Sequence, residues 1–314
     1  MGGSGMSNRR DFLKTMLAAG ASLALPSVLQ AGSEKKTNKI IILQTNDMHS
    51  QIDPLPESHH RFPGMGGMAA RAALISKIRG EGHPVLLFDS GDVFQGTPYY
   101  NMYGGEVEMK LMSEMNYSAA TIGNHEFDKG LDGLADAMEY ATFPFISSNY
   151  IFKHPRLSKS VKRYKIFTFG KIKIGVFGLG VYPYGLISKI TFGDTEYRDP
   201  AVTAAEMAYF LKKEEKCSII ICLSHLGYKA DEDGQTADYN LARQSKNIDF
   251  ILGGHSHTLL SKPVSVFNSD NKQVLITQNA YAGVRMSRID CYFSSAGDLI
   301  FVDAYTNNIF KKQV

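Results

Sequence analysis

The chain is 314 residues long, 44% hydrophobic and 21% charged, with a net charge of +3. That is the balance of an ordinary globular protein, and the length suits one large α/β domain or two modest ones. The near-neutral charge gives no electrostatic basis for binding nucleic acid or an anionic membrane surface.

Residues 1–31 stand apart from the fold. "MGGSG" ahead of Met6 reads as a linker scar, with Met6 as the natural start. Arg9 and Arg10, an uncharged run from Thr15 to Pro26 and the small residue Ala31 make a twin-arginine export signal cleaved near Ala31. The run is shorter than the roughly 20 residues that span a bilayer, and no polar face recurs within it. The leader holds three basic residues and one acidic one, so its removal leaves a charge of +1. Residues 32–38 form a short linker, and the expected destination is the periplasm. No later apolar run is long enough to cross a membrane.

From Lys39 onward, short apolar runs alternate with helical patterns. Residues 39–45, 84–90, 118–123, 171–180, 217–224 and 248–254 read as strands, mostly buried on both faces. Residues 66–79, 106–115, 130–140 and 200–215 have helical spacing between them. The tail, from Lys272 to Asn307, alternates apolar with polar and turns at "SAGD", as an antiparallel meander does. The expected fold is α/β, two packed mixed sheets flanked by helices. Residues 39–314 form one catalytic domain. Cys217 and Cys222, five apart in one strand, point to opposite faces, and with Cys291 they read as buried free thiols.

Polar clusters follow five of these runs, at the strand ends where open α/β sheets place ligands. They are Asp47-Met48-His49, Asp89-Ser90-Gly91-Asp92, Gly123-Asn124-His125-Glu126, Ser224-His225 and Gly254-His255-Ser256-His257. Five of the nine histidines sit there, interleaved with carboxylates. Imidazole and carboxylate together suit Mn, Zn, Co or Fe rather than Mg or Ca, and there are ligands enough for two ions. Two divalent ions, balanced by Asp47, Asp92 and one bridging hydroxide, leave the site positive and suited to a phosphate ester.

The ordered set "NDMHS", "SGDVFQG", "GNHEFD", "LSHLG" and "GGHSHT" resembles the calcineurin-like metallophosphoesterases over about residues 39–260. "LQTNDMHS", "GDVFQGTPYY" and "IGNHEFDKG" look like the periplasmic 5′-nucleotidase family among them. The resemblance implies a four-layer sandwich and phosphomonoester hydrolysis, most naturally of nucleotides, by a metal-bridging hydroxide. It implies Asp47, His49 and His257 on one ion, Asn124, His225 and His255 on the other, and Asp92 bridging. His257 is a variant, since an amide often stands there in the family. His125 and Asp128 are implied as a catalytic dyad. Glu126 reads either as orienting ligands and the loop or as a solvated carboxylate.

The substrate pocket is not legible. The chain is expected to lack the family's C-terminal nucleoside-binding domain, which leaves base recognition to shallow loops or to a separately encoded subunit. Tyr99, Tyr100, Tyr182 and Tyr184 in loops, and His59-His60-Arg61, are candidates to touch substrate or to be mere surface. The same metal site would also serve a 2′,3′-cyclic-nucleotide phosphodiesterase, a nucleotide-sugar hydrolase, a thiosulfohydrolase or a non-catalytic scaffold subunit. An unligated His125 beside Asp128 argues against the last.

Overall fold

The computed structural model describes residues 38–230 and 235–310, so the export signal and its cleavage point lie outside the described residues. The strands are β1 (Asn38–Thr45), β2 (Val85–Asp89), β3 (Ala119–Ala120), β4 (Tyr150–Ile151), β5 (Tyr164–Phe169), β6 (Ile172–Gly180) and β7 (Glu196–Tyr197). They continue with β8 (Ile219–His225), β9 (Phe250–Leu252), β10 (Val264–Phe267), β11 (Gln273–Thr277), β12 (Arg285–Phe293) and β13 (Leu299–Asn308). One sheet has the order β13-β12-β1-β2-β3, the other β10-β11-β9-β8-β6-β5, and β4 pairs with β7 apart from both. The sheets are mixed. β1, β2 and β3 run parallel, as do β6, β8, β9 and β11, with antiparallel strands at the edges.

Strand periodicity explains the layering. Ile40 and Ile42 face Ile174, Val176, Ile219, Ile221 and Leu223 in the core between the sheets. Ile41 and Leu43 point the other way, onto Met68, Ile75, Ile78, Met109 and Met112 of the helices Met68–Arg79 and Glu106–Glu114. On the far side, Ile220 and Cys222 pack with Ala204, Met207 and Leu211 of the helix Pro200–Lys213. That helix starts where the sequence dictates. Pro200 fits its first turn and the Asp199 side chain accepts from the Val202 N–H at 2.8 Å. Helix, sheet, sheet, helix is the expected sandwich, and Cys217, Cys222 and Cys291 are free and buried. No helix among the described residues is long and apolar enough to cross a membrane.

Two expectations need correction. The run 118–123 keeps only Ala119 and Ala120 in the ladder. Beyond them the Thr121 N–H still reaches the Asp89 carbonyl at the end of β2, while its hydroxyl donates to the Ile146 carbonyl, and residues 121–123 lie outside the strand. The tail is not one meander. β11 joins the second sheet beside β9 and β10, whereas β12 and β13 form a hairpin against β1 in the first. A crossing strap, residues 278–284, joins them and is held by polar side chains. Asn279 Nδ2 donates to the Gln44 carbonyl at 3.0 Å, and Asn46 Nδ2 to the Ala280 carbonyl at 2.8 Å. Apolar alternation registers a strand but not its sheet, and so misses this crossover.

Leu223 is fully buried in the inter-sheet core. Leu223→Ala should cost about 2–5 kcal/mol of unfolding free energy through lost burial and a cavity, read by urea denaturation. Val202→Ala, at an exposed helix position, should shift the midpoint little.

Candidate metal centre

Register brings the polar loops together. Thr45 lies level with Asp89, and Asp89 with Ala120, so β1, β2 and β3 end side by side. In the second sheet Gly180 pairs with His225, and Leu223 with Leu252. The segments leaving these ends carry all nine residues expected at the site.

Three groups place potential ligand atoms within 4.8 Å of one another: Asp47–His49–His257, Asp92–His225–His255 and His49–Asp92–His125. Asp92 thus stands against both His49 and the His225–His255 pair. His225 Nδ1 donates to the Ser90 carbonyl at 2.7 Å, which turns Nε2 toward Asp92 Oδ2, 3.0 Å away. His49 Nε2 and His257 Nε2 are 2.9 Å apart, and His257 Nε2 is 3.4 Å from Asp47 Oδ1. Asn124 sits beside His125, whose backbone N–H donates to Asp92 Oδ1 at 2.9 Å. His125 Nδ1 is 3.0 Å from Asp128 Oδ2.

A metal fits this donor set. Asn124 Oδ1, His225 Nε2 and His49 Nδ1 are buried without a hydrogen-bond partner among the described residues. Leaving such atoms unsatisfied costs about 1–3 kcal/mol each, a cost that coordination would remove for those atoms facing an ion. The His225 Nε2–Asp92 pair is near enough for charge interaction yet misaligned for a hydrogen bond. Two atoms directed at a common third point have that geometry.

The backbone is shaped to the same end. Asp47, His49, Asp92, His255 and His257 all have left-handed φ, between 46° and 75°, each a strain of order 1–3 kcal/mol. Gly123 permits the close approach of two loops, for a Cβ there would lie 2.3 Å from Asp92 Oδ1 and 2.6 Å from its nitrogen. Glu126 settles the reading left open for it. It is 1% exposed and accepts from the N–H groups of Asp92 at 2.9 Å, Val93 at 2.8 Å and Gly123 at 2.6 Å. It ties the loop after β2 to the loop after β3.

Without an ion, the carboxylates and imidazoles lean on one another. Burial opposes ionisation of Asp92, but the facing His225, with His49 and His125, holds its pKa well below the carboxylate range. Burial likewise opposes charge on His225, and Asp92 overcomes it, lifting the pKa to about 10. Burial and the neighbouring His225 push His255 down to about 4, and burial lowers His49. The hydrogen bond that His125 donates to Asp128 raises the His125 pKa.

Residues that sequence reasoning missed lie behind the centre. Gln44 Nε2 donates to the Gly253 carbonyl at 3.0 Å, and Asn46 Nδ2 to Asp47 Oδ2 at 2.5 Å. Their signal was a buried polar triplet, Gln44-Thr45-Asn46, closing an apolar strand. Asp238 is fully buried, accepts from Ser224 Oγ and has Oδ2 unpartnered among the described residues. Tyr281 stacks on His257, with ring centroids 5.2 Å apart, and its hydroxyl lies 3.3 Å from His59 Nε2. Among the candidate tyrosines, Tyr100 is core, stacked on Phe94 at 5.0 Å, and Tyr99 donates to Asp53 at 2.9 Å. Both lie in the helix Pro98–Tyr103 rather than in a loop.

Known proteins share the sequence pattern and the fold. The pattern of calcineurin-like phosphoesterases matches residues 40–259, and that of the twin-arginine translocation signal matches residues 6–26. The chain is 35% identical over 258 residues to a 5′-nucleotidase of Vibrio cholerae, covering 78% of this chain and 45% of that protein. It is 30% identical over 284 residues to the snake venom 5′-nucleotidase of Crotalus adamanteus, covering 83% and 46%. The crystal structure of a 5′-nucleotidase precursor from Thermus thermophilus superposes with a TM-score of 0.77 at 30% identity, covering 88% of this chain and 55% of that one. The chain spans about half the length of the curated relatives it matches.

Glu126→Gln should expose the clamp, because an amide NH2 would face backbone N–H groups that now meet an acceptor. The expected loss is about 1–3 kcal/mol together with weaker metal retention, read by thermal unfolding and elemental analysis. An unchanged Tm would remove Glu126 from this role. Burial raises Asp238 from 3.8 to about 8. Between those values the folded state keeps a proton that the unfolded chain has released, so this group's stabilisation is full below the lower value and lost as pH rises through the upper one. Asp238→Asn should therefore match the wild type near pH 4 and exceed its Tm increasingly toward pH 9. A gap that stays constant with pH would show that Asp238 ionises normally.

Proposed function

The chain belongs to the calcineurin-like phosphoesterase family, and we propose that it is an exported two-metal phosphomonoesterase acting on nucleoside monophosphates. The observation that supports this most is Asp92, held between His49 on one side and the His225–His255 pair on the other, with His125 and Asp128 alongside. In this reading Asp47, His49 and His257 would hold one ion, Asn124, His225 and His255 the other, and Asp92 would contribute to both. The twin-arginine signal directs the product to the periplasm, and residues 39–314 form the catalytic unit.

When bound, a pair of divalent transition-metal ions supplies Lewis acidity toward phosphoryl oxygens and a stronger water nucleophile at neutral pH. The side chains do the rest. Asp128 accepts from His125 Nδ1–H, fixes the ring and keeps it protonated nearer neutrality. Nε2 is then the atom presented to substrate, where it donates to the phosphoryl group and to the departing ester oxygen as negative charge develops. The orienting carboxylate is partly exposed, which leaves the imidazole able to recover its proton from solvent after each turnover. Nucleotide esters are favoured over other phosphomonoesters by the 5′-nucleotidase relatives.

Protein reconstituted with manganese or zinc should bind about two equivalents per chain, and a plateau near one would contradict the two-ion reading. His125→Asn should keep both ions yet lose about 10²–10⁴-fold in kcat toward AMP, with Asp128→Asn a milder version of it. Asp92→Ala should deplete both sites. Loss of metal from His125→Asn would mean that the residue is a ligand rather than a proton donor.

A further inference from the structure

The loop that leaves β6 carries an exposed aromatic corner. Tyr182 and Tyr184 are 48% and 61% exposed, while Pro183 between them is buried. Residues two apart in extended chain share a face, so both rings look outward. Their centroids lie 5.2 Å apart with planes at 70°, one ring edge against the other's face. The loop is braced rather than free. Leu186 and Ile187 N–H groups both donate to the Pro183 carbonyl, at 3.1 and 2.8 Å. The edge of Tyr182 packs against Tyr197 at 5.5 Å, and Tyr184 against Phe192 at 6.5 Å.

The corner is tied to the elements that carry the metal centre. Gly180 is level with the candidate ligand His225 on the neighbouring strand, and Tyr182 follows two residues after Gly180. Phe192 packs on Phe127 at 5.0 Å, and Phe127 lies in the short turn between His125 and Asp128. Tyr150 donates to the Val181 carbonyl and feels the Asp92 charge. Asn149 holds the end of β6 with two bonds to Gly180, each 2.8 Å. The platform is therefore rigidly coupled to the turn that carries the proton donor.

We propose that Tyr182 and Tyr184 form a stacking platform for the nucleobase of the substrate, built into the catalytic domain itself. This rests on the phosphomonoesterase reading and names the substrate's second anchor. A phosphate gripped at the metals leaves its ribose and base projecting toward the rim. Two exposed rings at right angles, with side-chain motion restricted by their neighbours, offer a base one face to lie on and one edge to meet. Every base has a π-face, so the platform separates nucleotides from base-free phosphates but separates purine from pyrimidine poorly.

The test compares AMP with ribose 5-phosphate, which lacks the base, on the metal-loaded protein. The wild type should show a KM for AMP about tenfold below that for ribose 5-phosphate. Tyr182→Ala/Tyr184→Ala should raise the AMP value to the ribose 5-phosphate value and leave the latter unchanged. Tyr182→Phe/Tyr184→Phe, which keeps the rings, should restore the contrast. Equal KM values for the two esters in the wild type, or equal losses for both in the alanine variant, would overturn the platform. If neither ester is hydrolysed, the phosphomonoesterase reading fails separately. Calorimetric binding of the same two compounds then reads the same contrast, and equal affinities would dismiss the platform as well.

Discussion

The arrangement depends on one buried carboxylate. Glu126 accepts from the backbone N–H groups of Asp92, Val93 and Gly123, and these bonds bind the loop after β2 to the loop after β3. Asp92, Asn124, His125 and Asp128 all sit on those two loops. Without the clamp the two loops would still meet through the His125 N–H and Asp92 Oδ1, but would lose three bonds that set the spacing of these groups. Burial pushes the Glu126 pKa up to about 7, with Asp92 next in effect, so the clamp is costly where it stands. The cost is tolerated because the bonded N–H groups and the adjacent His225 meet the charge.

A second constraint follows from how near the loops must come. Five of the seven expected ligands adopt left-handed backbone conformations, an arrangement that no local preference of Asp or His would produce at every one. The strain is held by a polar scaffold behind the centre. Gln44, Asn46 and Asn279 join β1 to the strap between β11 and β12, and Asp47 accepts the His255 N–H on both oxygens at 2.9 and 3.1 Å. The result is a preorganised set of donors with unmatched lone pairs, the condition under which an ion is bound strongly and catalytic groups need little rearrangement. His125 differs from His49 and His255 in what meets its ring. A carboxylate meets its Nδ1 and raises its pKa, whereas burial lowers those of His49 and His255.

The parts of the fold legible in the sequence were those with a local cause. The apolar run "KIIILQT" was legible as a strand buried on both faces, and the structure turns Ile40 and Ile42 to one layer and Ile41 and Leu43 to another. The helical spacing of residues 200–215 marked the helix Pro200–Lys213, and "SAGD" marked the β12–β13 turn. The strand at 118–123 was overstated because its ladder with β2 stops at the Asp89–Ala120 pair, where β2 itself ends, a limit set by a distant segment of the chain. The separation of β11 from β12 had no local sign either, since both alternate like any half-buried strand.

The site divides along the same line. By itself the sequence determined which chemical groups are present and in what order: Asp47, His49, Asp92, Asn124, His125, Asp128, His225, His255 and His257, each at the end of an apolar run. Their types imply transition-metal and proton-transfer chemistry because side-chain chemistry is a local property. Only the tertiary structure decided that Glu126 is a buried clamp rather than a solvated carboxylate, and that Tyr100 is core while Tyr182 and Tyr184 are exposed. It alone put Tyr281 against His257 and Asp238 beneath Ser224. Burial and hydrogen-bond partnership are fixed by strand register between segments far apart in the chain, so these assignments appear only once the two sheets have closed on each other.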